Sequence, residues 1–159
     1  MSAILEIART TIFPFQEWME PQIIVMAKEM HAESASHSDM LLDENKVISQ
    51  LRLSVTNPDV YVRFAVRGEE VLGGFFGMIS PVFFSRERAA RDMAWFVRKS
   101  RRGSLAAVML LADFEAWAMA KGVHKFFLGQ STGVAVETTK LLYEKLGYTV
   151  VGVNTVKVG

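Results

Sequence analysis

Apolar positions along this chain change period several times, and each change marks an element. Over residues 21–30, Ile23, Ile24, Met26, Ala27 and Met30 recur near helical spacing, and Pro21 fits only a first turn, so a helix is predicted there. Asp43 can cap a second helix running through Leu53, with Val47, Ile48 and Leu51 on one face. Val60, Val62, Phe64 and Val66 then alternate with Tyr61, Arg63, Ala65 and Arg67, the Arg67-Gly68-Glu69-Glu70 turn follows, and residues 71–79 return as the second strand of a hairpin. Residues 91–97 form a third strand, with Asp92, Ala94 and Phe96 on one face and Met93, Trp95 and Val97 on the other. The stretch 104–121 is rich in Ala, Leu and Met and stops at Gly122, as a long buried helix does. Residues 125–129 read as a short buried strand, 134–146 as a helix stopped at Gly147, and 148–158 as a closing strand. Antiparallel strands followed by strand-helix-strand-helix-strand imply an α/β protein: a mixed sheet with helices on both faces.

Composition narrows this picture. The chain has 159 residues, half of them hydrophobic, which is enough to bury one core and fits one domain over residues 1–159. With 18 Lys+Arg against 17 Asp+Glu, the net charge of +1 points to no polyanionic partner, and no nucleic-acid motif is present, so no nucleic acid is expected. The chain has no cysteine, which excludes disulfides, thiolate metal sites and a cysteine nucleophile, and makes a reducing, cytoplasmic setting the plain expectation. The opening MSAILEIART lacks the form of a secretory signal. The uncharged stretch 71–84 is broken by Gly73, Gly74, Gly77 and Pro81, so no membrane span is expected.

The chemical signal is Val97-Arg98-Lys99-Ser100-Arg101-Arg102-Gly103-Ser104, where a strand ends and a helix begins through a turn carrying four cations. Free amides at a helix start, the helix dipole and a glycine that allows close approach suit an anion such as a pyrophosphate. A merely solvated basic loop is the competing reading. At this point the sequence resembles the GNAT superfamily of acyl-CoA-dependent N-acyltransferases, whose motif A is V-x-P-x-x-R-G-x-G-x-G/A at a strand-to-helix junction. Val97, Arg102, Gly103 and Ala107 match its spacing, AVRGEEVLGGFFGMI (65–79) is similar to the family hairpin, and LLYEKLGYTVVG (141–152) to its LYEKLGF motif. Lys99 replaces the motif's proline, Leu105 its central glycine, and Val136 stands where an asparagine is common. A second frame would use Arg101, Ser104 and Ala106 instead.

The resemblance implies the acyl-CoA N-acyltransferase fold, mostly antiparallel with two splayed parallel strands, and acetyl transfer from acetyl-CoA to a primary amine on a small molecule or peptide. It implies that backbone groups of Phe96, Val97 and Arg98 pair with pantetheine, and that Arg101, Arg102, Gly103, Ser104, Leu105, Ala106 and Ala107 surround the pyrophosphate. It points to Tyr143 as the acid for the departing thiolate, against ordinary packing as the alternative. For the base, Asp92, Glu33 and ordered water all stay open. His31, Glu33 and His37 sit close together, but with no fourth ligand in view no metal is expected. Homodimer formation is left open, as is a CoA-binding module without turnover.

Overall fold

The computed structural model describes residues 2–159. Its sheet has five strands in the order β1-β2-β3-β4-β5: β1 (Thr11–Pro14), β2 (Val60–Arg67), β3 (Glu70–Pro81), β4 (Arg88–Val97) and β5 (Phe126–Phe127). The first four are antiparallel neighbours, and β5 runs parallel to β4. The helices are α1 (Ala3–Arg9), α2 (Glu20–Glu33), α3 (Glu44–Thr56), α4 (Ala106–Ala120) and α5 (Val136–Lys145). The α/β architecture and the two parallel strands agree with the sequence reading.

Each face of the sheet carries its own core. On one side α4 presents Ala106, Leu110, Phe114 and Ala118, spaced by four and all buried, to Tyr61, Phe75 and Ile79. A stripe that regular makes the helix a ridge over the strands. The contact is tight: a side chain at Gly77 would bring Cβ within 2.5 Å of the Phe114 ring. On the other side Ile23 and Met26 of α2 and Leu51 of α3 cover Val62, Phe64 and Val66. Asp43 caps α3 as predicted, its carboxylate accepting from the Lys46 amide at 3.0 Å.

Four details differ from the sequence reading. A short edge strand, β1, pairs Thr11 with Val66, although four residues are too few to show a period. The fifth strand shrinks to Phe126–Phe127. Residues 148–158 form no strand: Val151, Val153, Val156 and Val158 are exposed, because a period of two creates a strand only where a neighbour offers an edge, and two-residue β5 offers almost none. Finally, β4 bulges. Phe76 pairs with Ala94 but Gly77 with Asp92, so Met93 is the extra residue. The bulge reverses the alternation, and Asp92 shares the α4 face with Ala90 and Trp95 rather than the face of Phe96.

Candidate functional site

The site begins where pairing fails. β4 and β5 are matched only at Ala90 with Phe126 and Arg91 with Phe127, supported by an Ala90 amide donating to the Lys125 carbonyl at 2.9 Å. Beyond that point the two chains part, leaving one edge of β4 from Asp92 to Val97 facing a cleft of about 690 Å³. Unpaired strand-edge amides and carbonyls can hold an extended ligand as an added strand would.

Asp92 stands at the fork. Its Oδ1 accepts from the Gly129 amide at 3.0 Å, bridging the two diverging chains. Burial pushes its carboxyl up to about 6, against the opposing pull of the Gly129 N–H, so it can take or release a proton close to neutrality. Tyr143, on α5, lines the cleft nearby, its ring 5.7 Å from Trp95 and its hydroxyl donating to the Gly129 carbonyl at 3.3 Å. Burial first, and the charge of Asp92 second, raise its phenol pKa, so the hydroxyl keeps its proton and acts as a donor.

At the far end of the β4 edge the basic segment forms a 3-10 turn, Lys99–Arg101. Its cations are not equivalent. Arg98 pairs with Glu29 of α2 at 2.9 Å, and Arg101 turns to the hairpin and grips Glu70 through two nitrogens at 2.8 Å. Arg102 alone of the three lines the cleft, paired with Glu33, donating to the Val97 carbonyl at 3.2 Å and lying 5.4 Å from the Phe96 ring centre. Gly103, at φ +85°, takes a conformation that side-chain-bearing residues avoid, and it leads through Ser104 to the start of α4. Phe96, Val97, Gly103, Ser104 and Ala107 also line the cleft; Leu105 is half-buried outside its wall, and Ala106 is packed in the core. Glu33 lines the cleft too, with its carboxylate engaged by Arg102.

The remaining wall comes from two loops that sequence reasoning did not connect. The buried Ser34 and its neighbour Ser36 both meet His37 Nδ1 at 2.9 Å, and their hydroxyls donate to the carbonyls of Thr132 and Ser131. Gln130 joins them, its carbonyl accepting from Asn154 at 3.0 Å. The polar run Gln130 to Thr132, shortly after the half-buried β5, was the available signal. His31 meets the Met40 carbonyl at 2.6 Å, and among the described residues no group of three or more metal-capable side chains comes together.

The fold as a whole recurs in solved structures. A transcriptional regulator from Bacillus halodurans superposes with a TM-score of 0.75 at 16% identity, over 94% of this chain and 99% of that one. A Trypanosoma brucei acetyltransferase gives 0.71 at 16% identity, with the same coverages of 94% and 99%. The chain has the GNAT fold. A predicted acetyltransferase from Clostridium acetobutylicum, solved with acetyl-CoA, has the same GNAT architecture, with a TM-score of 0.70 at 12% identity over 94% and 96% of the two chains. No protein-family model matches the chain, and no curated protein matches it by sequence. Among the described residues no helix is long and apolar enough to cross a membrane.

Proposed function

We propose that this chain is an acyl-CoA-dependent N-acyltransferase that moves an acetyl group from acetyl-CoA to a primary amine. The observation that carries this reading is the free edge of β4, which runs from a carboxyl titrating near neutrality to an arginine and a glycine at a helix start. Acetyl-CoA supplies the activated acyl group as a thioester. Its extended amide-bearing arm fits the β4 edge at Ala94 to Val97, which pairs with no strand on that side, and its pyrophosphate fits Arg102, Gly103 and the first-turn amides of α4.

The chain's own groups then have distinct tasks. Asp92 takes a proton from the incoming ammonium or amine at its carboxylate, directly or through one water, which requires pH above its raised pKa. Backbone N–H groups at the β4 bulge donate to the charge developing on the carbonyl oxygen. Tyr143, kept protonated, donates its phenol proton to the departing sulfur. Trp95 holds the Tyr143 ring in place by contact at 5.7 Å.

The reading is tested by free-thiol release from acetyl-CoA across amines that include polyamines, aminoglycosides, amino acids and peptide N-termini. The chain has no cysteine and so adds no thiol background. Acceptor-dependent release at neutral pH is the expected result. No release, and no rise in melting temperature with millimolar CoA, would remove it; a rise without release would mark a binding module instead.

A further inference from the structure

Beneath α2 and α3 lies a second cavity, of about 120 Å³, and every side chain lining it is apolar. Its inner wall is Val47, Leu51, Phe64 and Phe76. Ala27, Met30, Ala94 and Phe96 line both this cavity and the main cleft, so the two adjoin along β4. The pocket is partly open, so a ligand group can enter it, and its apolar lining offers water no hydrogen-bond partner. The opposite face of the same sheet, under α4, is closed by stacked rings with Phe75 and Phe114 at 4.4 Å. The pocket lies on the α2–α3 side of the sheet, over β2, β3 and β4.

The geometry points to an apolar subsite: the cavity takes an uncharged group of four to six carbons borne by one of the two substrates, as its acyl chain or as a substituent of its amine. The size follows from the volume, since an apolar cavity of about 150 Å³ accepts a benzene ring. The chemistry follows from the lining, where a charge or an unpaired polar group would lose its hydration with nothing to replace it. This inference rests on the acyltransferase reading only for the identity of the molecule that carries the group.

The test separates the two. Benzene and n-pentanol, as free probes, should raise the melting temperature of the wild-type protein and fail to do so in Val47→Phe, which fills the cavity from α3 without lining the cleft. Acetyl-, butyryl- and hexanoyl-CoA, and ethyl-, butyl- and hexylamine, are then compared for binding and turnover. One series should gain about three- to fourfold per methylene up to about six carbons, and which series gains identifies the bearer. Val47→Phe should flatten that gain and keep the wild-type circular dichroism and the values for the shortest member. No response to the probes, or two flat series with intact CoA binding, overturns the inference. Should Val47→Phe fail to fold, the wild-type probes and series still decide. Absence of any CoA binding removes the acyltransferase reading alone, and the probe response still judges the cavity.

Discussion

The two faces of the sheet are built on different terms. Under α4, Tyr61, Phe75, Phe114 and Trp117 form one aromatic block with ring centres 4.4 to 5.9 Å apart. Under α2 and α3 the core mixes phenylalanines with aliphatic and methionine side chains and leaves an apolar pocket beside the cleft. The bulge at Met93 also sends Asp92 to the α4 side, where Tyr143 lies, so the two groups proposed to move protons stand on the aromatic face and the apolar pocket on the other. A site that must both hold reacting groups in register and admit a variable molecule gains from this division.

The largest expected effect breaks the aromatic face. Phe114→Ala removes the ring that stacks on Phe75 and meets Tyr61, and should cost about 3–5 kcal/mol, read as a lower urea midpoint with an unchanged m value. Next comes Asp92→Asn. The folded carboxyl titrates near 6 against an ordinary 3.8, so the fold holds a proton that the unfolded chain releases. Stability from this group is full below about pH 4 and is lost as pH rises through about 6. Asn keeps the oxygen that faces Gly129 and cannot ionise. The variant should therefore be more stable than wild type by about 2 kcal/mol at pH 8, equal to it at pH 4, and impaired in turnover, as thermal melts and thiol release at the two pH values would reveal. Equal melts at pH 8 would mean that Asp92 is better solvated than its surroundings suggest.

Tyr143→Phe keeps the ring on Trp95 and removes only the donor. It should slow acyl transfer by about 10²-fold or less with CoA affinity within a few-fold. A silent substitution would leave Tyr143 as packing. The smallest effect belongs to the open face: Val47→Phe should shift stability by less than about 1 kcal/mol, because its added atoms enter existing space. If it proved as damaging as Phe114→Ala, the two faces would not differ in the sense argued.

What could be read in the sequence follows from what sets each feature. The helices 20–33, 44–56 and 106–120 and the β2–β3 hairpin were legible because local period, a capping Asp43 and stops at Gly68 and Gly122 all speak through neighbouring residues. β1, the shortness of β5 and the unpaired tail were not, since each depends on whether a distant edge is available. The bulge that turned Asp92 around depends on β3 and β4 together and leaves no mark in either alone. The basic turn was legible as an anion site, but not that Glu29 and Glu70 hold Arg98 and Arg101 while Arg102 faces the cleft. Those partners lie on α2 and at the start of β3.

The ion pair between Arg102 and Glu33 bears on the order in which substrates arrive. Glu33 ends α2, on the wall shared with Ser34 and His37, and its carboxylate pairs with the Arg102 guanidinium proposed to meet the pyrophosphate. Donor binding is then an exchange of one anion for another. Under the proposed activity, that exchange would free Glu33 on the cleft wall for an ammonium group, and product-inhibition kinetics would read the order in which the two substrates arrive.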